Sequence, residues 1–591
     1  MKQLSKKHKK LLLLALLSSL LLIATTIGIS VGVSSSHRQR DHRLSPETHA
    51  VVKTSCSSTL YPDLCYSAIA TAPSTTSTTK ISTLKDVIAA SLNLTTLAVE
   101  HNYFTVKKLI KTRKNLTVRE KIALHDCLES IDETLDELRR TLQDLLSYQH
   151  TDNNNNNNNN NTTRSKSLKG YADDMKTLIS SAITDQETCL DGFSHGDADR
   201  HVRDTLQSGQ VHVEKMCSNA LAMITNMTDV DMAAEAATKK RQLYSTNNND
   251  HDHDHDEFGW PRWMSSVDRR MLQGGPVKAD TVVAADGTGN HRTIAAAVAA
   301  APVKSKKRYV IRIKAGVYNE NVDIHNKKTN LMFIGDGRSK TIITGKKNVI
   351  DGSTTYNSAT VAVTADGFLA RDLTIQNTAG PAKHQAVALR VGGDLAAFYQ
   401  CDILAYQDTL YVHKSRQFYV KCLITGTVDF IFGNAAVVFQ DCDIHARKPN
   451  PGQKNMVTAQ SRTDPNQNTG IVIQKCRIGA TSDLQASKNT FPTYLGRPWQ
   501  DYSRTIIMQS TISDVVHPAG WHEWEGDFAL KTLHYGEYKN TGPGADTSKR
   551  VQWRGVKVIT DTVEAQQYTP GNFIAGGNWL PATAFPFSLG L

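Results

Sequence analysis

Two aspartates stand 21 residues apart, Asp408 in Tyr406–Tyr411 (YQDTLY) and Asp429 in Asp429–Asn434 (DFIFGN), and each follows a cysteine, Cys401 or Cys422, by seven positions. Equal offset from a repeated residue puts them at equivalent points of successive structural repeats. Two carboxylates one repeat apart in a low-dielectric groove do not both ionise freely, so one is expected to stay protonated near neutral pH. A general acid and a nucleophile need that pairing. Gln385 lies 22 residues before Gln407, which places a further amide at a comparable point one repeat earlier. A lone Asp in such a texture is ordinarily a turn residue. The shared register of Asp408, Asp429, Gln385 and Gln407 is what favours chemistry. Tyr406, Tyr411, Phe430, Phe432, Trp499 and Trp521 crowd the same windows and suit either sugar stacking or core packing.

The elements that must hold these groups are legible in the same stretch. FYQCDI, FYVKCLI, VFQDCDI and VIQKCRI carry cysteines at 401, 422, 442 and 476, with gaps of 21, 20 and 34 residues. A β-rich repeat near 20 residues indicates a solenoid of the parallel β-helix kind, and the longer gap implies one coil with an inserted loop. Equivalent positions then stack about 4.8 Å apart, so the cysteines form an inward ladder in which neighbours could bridge. From about residue 279 onward the texture is of short β-branched runs broken by Gly, Asn and Asp, apart from HRTIAAAVAAAP near the start.

Upstream the periodicity changes. Leu128, Ile131, Leu135, Leu138, Leu142 and Leu145 recur at alternating steps of three and four, the buried stripe of a helix. Similar patterns over about 80–112, 168–183 and 200–224 predict a four-helix bundle spanning 46–225. Cys56 and Cys65 are spaced to staple a short hairpin, and Cys127 and Cys189 to clamp two helices, which leaves Cys217 as the odd thiol. Residues 226–272 read as a linker, with the alternating His251–Asp256 run as a solvated segment rather than a metal site and with basic clusters at Lys239–Arg241 and Arg269–Arg270 open to a processing protease. The catalytic unit is expected to span 273–591.

Residues 1–34 hold a basic cluster, Lys6 to Lys10, and then a long uncharged apolar run, which suits a signal peptide or an uncleaved membrane-spanning anchor with the rest of the chain outside. Secretion agrees with N-glycosylation triplets at Asn93, Asn115, Asn160, Asn161 and Asn226. From Gln273 onward there are 35 Lys and Arg against 25 Asp and Glu. A basic, secreted unit points to an acidic polysaccharide and away from nucleic acid.

Gly316–Glu320 (GVYNE), Gln385–Arg390 (QAVALR), YQDTLY, DFIFGN and Leu495–Trp499 (LGRPW) together resemble the ordered motifs of plant pectin methylesterases, over about 275–590. The cysteine pairs, AITDQETCLDGF and CSNALAM resemble the pectin methylesterase inhibitor domain. The resemblance implies a right-handed parallel β-helix that hydrolyses the C6 methyl esters of homogalacturonan in the cell wall, with no cofactor and no metal. It implies Asp429 as nucleophile, Arg497 as its orienting partner, Asp408 as proton donor and then base, Gln385 and Gln407 as oxyanion donors, and Thr360 and Trp499 as sugar contacts. It further implies cleavage in Arg269–Leu272 (RRML), where Met271 replaces the more usual Leu, and partners in the chain's own pro-region and in free inhibitors of the same family. Some relatives pair a cysteine one coil before Cys401, but Thr374 stands near that place. Cys422–Cys442 is the favoured bridge and Cys442–Cys476 the alternative. Competing readings are a pectin-cleaving glycosidase or lyase on the same scaffold, and an inhibitory protein with an inert β-helix.

Overall fold

The computed structural model describes residues 45–71, 81–148, 166–194, 197–245 and 277–591. Residues 1–34, Asn160, Asn161, His251–Asp256 and Arg269–Leu272 lie outside them. Among the described residues no helix is long and apolar enough to cross a membrane.

The N-terminal unit opens with a hairpin of two short helices, α1 (Pro46–Ser57) and α2 (Pro62–Ala70), followed by four long ones, α3 (Leu84–Thr112), α4 (Val118–Ser147), α5 (Leu168–Asp191) and α6 (Asp197–Ser245). Reciprocal capping boxes start two of them: Thr83 with Asp86 for α3 and Thr117 with Glu120 for α4. These satisfy backbone N–H groups that the first turn leaves unpaired. The predicted stripe of α4 faces the bundle core, with Ile131, Leu135, Leu138 and Leu145 buried and Leu128 and Leu142 packed at its margin. Disulfides Cys56–Cys65 and Cys127–Cys189 join α1 to α2 and α4 to α5, and Cys217 is buried and free.

One boundary differs from the expectation. α6 continues through 226–245, part of the stretch taken as linker, and Lys239–Arg241 lie within the helix. Those residues contain no Gly or Pro and are rich in Ala and other strong helix formers, so nothing in them stops the helix.

The C-terminal unit is a parallel β-helix of three sheets with 11, 7 and 8 strands. A short helix, Ile294–Ala300, stands near its N-terminal end, and Glu320 of the GVYNE segment accepts from the first N–H groups, those of Ile294 and Ala295. Inside, Phe398, Tyr419 and Phe439 stack with ring centroids 4.8 Å apart, the rise from coil to coil. The segment from Thr562 onward packs Ile574, Trp579, Leu580 and Phe585 on the outer face of the 11-stranded sheet.

The cysteine ladder forms in the expected register: Asp402, Leu423, Asp443 and Arg477 pair in turn, which stacks Cys401, Cys422, Cys442 and Cys476 one residue earlier. Neither the favoured Cys422–Cys442 bridge nor Cys442–Cys476 is present, and all four thiols are buried and free. Parallel strands hold equivalent Cβ atoms about 4.8 Å apart, wider than the roughly 3.8 Å that a disulfide needs. The thiols reach backbone carbonyls instead, Cys422 that of Phe398 and Cys442 that of Tyr419. Register also places Leu373, not Thr374, beneath Cys401, because Thr374 pairs with Asp402. The 34-residue gap holds two insertions, 447–454 and 461–469, one on each side of the strand Asn455–Gln460.

Candidate active site

The site lies on the outer face of the seven-stranded sheet. Strands here are short, and alternation sends Leu389, Val391, Leu410 and Val412 into the β-helix core and the residue between each pair outward. Register aligns those outward residues as a row across the coils: Asp323, Ala362, Arg390, Tyr411, Phe432, Ala459 and Arg497. Tyr411 stacks on Phe432 at 4.3 Å between centroids, and Trp499 leans on Phe432 at 5.9 Å.

Asp408 and Asp429 stand three residues before Tyr411 and Phe432, on adjacent coils, as the sequence register requires. Both have left-handed backbone, with φ of 62° and 52°. Asp tolerates that region better than most residues, and non-glycine residues held there cluster at functional sites. The two carboxyls have different surroundings. Arg497 grips Asp429 with two parallel bonds, Nε to Oδ1 at 2.8 Å and Nη2 to Oδ2 at 2.5 Å. Such a fork fixes orientation as well as charge. Burial pushes the Asp408 carboxyl well above its ordinary range, and neighbouring Asp429 pushes it further, against a smaller opposing pull from Arg497. One carboxyl is clamped by an arginine, and the other is buried and biased towards its neutral form. Arg497 is held on its other side by Trp524, whose ring centroid is 4.1 Å from the guanidinium carbon.

Gln385 and Gln407 line the same cavity of about 350 Å³, with Asp408, Asp429, Arg497 and Trp499. The buried Oε1 of Gln407 has no hydrogen-bond partner among the described residues. The Ala386 N–H donates to the Gln407 carbonyl, which ties the segments that carry the two glutamines together on adjacent coils. Thr360 is not brought to the cavity. It is fully buried and donates to the Gln376 carbonyl, while Thr355 and Tyr356, one short turn earlier, line the cavity instead. Of the two tyrosines in YQDTLY, Tyr411 faces the cavity, and Tyr406 packs under Arg447, which donates to its hydroxyl at 2.8 Å. Phe430 and Trp521 belong to the core. Thr355, Tyr356 and Trp524 were missed by the sequence reading. Only Trp524 carried a signal, as the second Trp of GWHEW.

The bundle closes this cavity. Thr188, Asp191, Gly192 and Ser194, at and after the end of α5, line it opposite the aspartates. Thr188 Oγ1 and His413 Nε2 share a hydrogen bond of 2.7 Å, and Asn434 Nδ2 donates to Thr184 at 2.9 Å. Burial pushes the Asp191 carboxyl up to about 7. The glycosylation candidates Asn93, Asn115 and Asn226 are exposed on the bundle.

An aspartate clamped by an arginine, a second, buried aspartate one coil away and two amides converging on one cavity are a group set suited to ester hydrolysis. Comparison with known proteins agrees. The Pectinesterase family model matches residues 280–578, and the Plant invertase/pectin methylesterase inhibitor model matches 50–223. Pectinesterase/pectinesterase inhibitor 3 of Arabidopsis thaliana is 64% identical over 598 residues, covering 99% of this chain and 98% of the relative. Pectinesterase 1 of Citrus sinensis is 63% identical, with 99% and 96% covered. Among solved structures, the pectin methylesterase from carrot is 72% identical with a TM-score of 0.53, over 54% of this chain and 99% of its own. The chain belongs to the pectinesterase family, in the form that carries an inhibitor-like domain ahead of the β-helix.

Proposed function

We propose that this carboxylic ester hydrolase acts on the C6 methyl esters of homogalacturonan, releasing methanol and a more anionic polymer. The observation that carries this reading is the division of labour between the two aspartates: Asp429 clamped by Arg497, and Asp408 buried and held neutral.

Asp429 attacks the ester carbonyl carbon, and the carbonyl π electrons move to oxygen, to which amide N–H groups of Gln385 and Gln407 donate hydrogen bonds. The tetrahedral intermediate collapses, the C–O bond to methanol breaks, and the Asp408 proton goes to the departing oxygen. An acyl-enzyme anhydride with Asp429 remains. Asp408, now a carboxylate, takes a proton from the water that attacks this carbonyl, and collapse returns Asp429 with a free galacturonate. Trp499 supplies an apolar face for the sugar ring. Thr355, which lines the cavity where Thr360 does not, takes over the sugar contact first assigned to Thr360.

The bundle holds the enzyme inactive by occupying the groove, and cleavage near Arg269–Leu272 by a processing protease in the secretory route releases it. Free inhibitors of the same fold would bind the released face in the same way. The polymer substrate and the exposed glycosylation triplets fit a protein exported to the cell wall. Methanol release from methylated homogalacturonan with no shortening of the polymer is the expected result for the β-helix unit. Shortening, with or without methanol, would favour a chain-cleaving enzyme.

A further inference from the structure

The insertion 447–454 lines no part of the catalytic cavity, yet it touches a segment close to each group that does chemistry there. Arg447 makes the central contacts. Its backbone N–H donates to the Gly426 carbonyl at 2.7 Å, three residues before Asp429. Its guanidinium reaches the coil before that one. There Nη1 donates to the Ala405 carbonyl at 2.9 Å and Nη2 to the Tyr406 hydroxyl at 2.8 Å, just ahead of Gln407 and Asp408. The guanidinium carbon also lies 3.9 Å from the centroid of the Tyr406 ring, so the group is stacked as well as bonded. Asn450 Nδ2 donates to the Pro381 carbonyl at 2.9 Å, four residues before Gln385. Lys454 Nζ donates to His522 Nε2 at 2.9 Å, two residues before the Trp524 that flanks Arg497.

The insertion is stiff. Pro449 and Pro451 fix two of its φ angles, and a turn closes between them and Gln453: the Asn450 N–H donates to Gln453 Oε1 at 3.0 Å and the Gln453 N–H to the Asn450 carbonyl at 3.1 Å. At its base the fully buried Asn455 donates to the Arg447 carbonyl at 3.0 Å. The turns it grips carry the two left-handed aspartates, a backbone state that persists only where the surroundings hold it. Those two turns lie in direct contact. The Thr427 N–H donates to the Tyr406 carbonyl at 2.8 Å and the Asp408 N–H to the Val428 carbonyl at 3.0 Å, and a Cβ on Gly426 would meet both Phe430 and the Tyr406 carbonyl. Arg447 spans this pair of turns, with its backbone on one and its side chain on the other.

We infer that Arg447 is a positioning residue that locks the turn of Asp408 against the turn of Asp429, with the rest of 447–454 bracing Gln385 and Arg497 from behind. It acts through Tyr406 and the two turns and touches neither substrate nor reacting atoms. This rests on the ester hydrolase reading and adds to it the part of the chain that sets the spacing of the two carboxyls. Attack by one carboxylate and proton transfer from its neighbour both need near-attack geometry, where a misplacement of about 1 Å costs on the order of 10²-fold in rate. An arginine suits the task because its planar fork offers two donors and a flat face at once, which a lysine does not.

The test uses residues 277–591, the extent over which the carrot relative exists as a folded chain. Arg447→Ala and the milder Tyr406→Phe are compared with the parent in two measurements. The first is methanol release from methylated homogalacturonan. Arg447→Ala should lower kcat about tenfold or more with KM within about twofold of the parent, and Tyr406→Phe should lower kcat about threefold. Added guanidinium ion should raise the kcat of Arg447→Ala about threefold or more and leave the parent unchanged, a response that a misfolded fraction does not give. A kcat within about twofold of the parent in Arg447→Ala, or a loss that guanidinium does not reverse, overturns the inference. Where Arg447→Ala does not fold, Tyr406→Phe decides: parent-like kcat overturns the inference, and the expected fall supports it. The second measurement is amide hydrogen exchange, which involves no turnover. In Arg447→Ala the amides of Thr427 and Asp408 should exchange about tenfold or more faster, while those of the strand Ala436–Gln440 keep the parent's rate. Unchanged exchange at Thr427 and Asp408, or an equal rise in the strand, overturns the inference. A parent that releases no methanol, with this local change in Arg447→Ala, would remove the hydrolase reading and keep the brace. A parent that releases methanol, matched by both variants, would remove the brace alone.

Discussion

Each residue of the site is set by its local backbone and nearest charge. Gln407 lines the cavity beside Asp408, where its amide N–H groups can donate to a developing oxyanion. Gln407→Leu should lower kcat by about 10²–10³-fold with little change in KM, since the interaction strengthens only as charge develops. Steady-state methanol release on the β-helix unit checks this, and a loss confined to KM would make Gln407 a ground-state contact. Asp408, Asp429, Gln385, Gln407 and Arg497 were legible in the sequence because coil register or motif order fixes which way each points. Thr360 was not, and the reason is physical. It lies just before the strand Val361–Val363, after the short turn Tyr356–Ser358, and a shift of a few residues there moves a side chain from groove to core. The same local geometry separates Tyr411 from Tyr406.

At the scale of elements, the repeat spacing of 20 to 21 residues revealed the coils and the stacking of cysteines, but not their redox state. Spacing fixes which residues are neighbours, whereas a disulfide depends on a Cβ separation that the parallel ladder holds too wide. Denaturing the described unit without reductant and alkylating it should therefore label five cysteines, Cys217, Cys401, Cys422, Cys442 and Cys476, and spare the two bundle disulfides. Intact mass gives the count; three labels would mean that a bridge forms in the ladder. The overrun of α6 past residue 225 was hidden for the opposite reason. Helix-forming residues without a stop signal continue a helix even where the sequence family pattern has ended.

Across the whole molecule, the two units meet through buried charge, and that couples their association to pH. Burial against the β-helix raises Asp126 to about 6, against smaller downward pulls from the Thr354 hydrogen bond and then Arg390, and raises Glu129 to about 7, against a smaller downward pull from Arg390. A carboxyl whose pKa is higher when docked than when free binds more protons in the docked state, so docking is strongest below its free pKa near 4 and weakens as pH rises through 6 to 7. Affinity between the bundle (45–245) and the β-helix unit should fall by about tenfold or more from pH 5 to pH 8. Interferometry or calorimetry at the two pH values measures it, and tighter binding at pH 8 would reverse the assignment. Sequence alone gave both units and their order. It could not show that the end of α5 enters the catalytic cavity, because no periodicity within one unit encodes its fit to another.

The account stands or falls on Asp429 as the attacking group. Methanol release from methylated homogalacturonan by residues 277–591 should be robust in the parent and lower by about 10⁴-fold or more in Asp429→Ala, with Arg497 left in place and the fold retained by circular dichroism. Release by Asp429→Ala within tenfold of the parent would show that the carboxylate held by Arg497 is not the nucleophile.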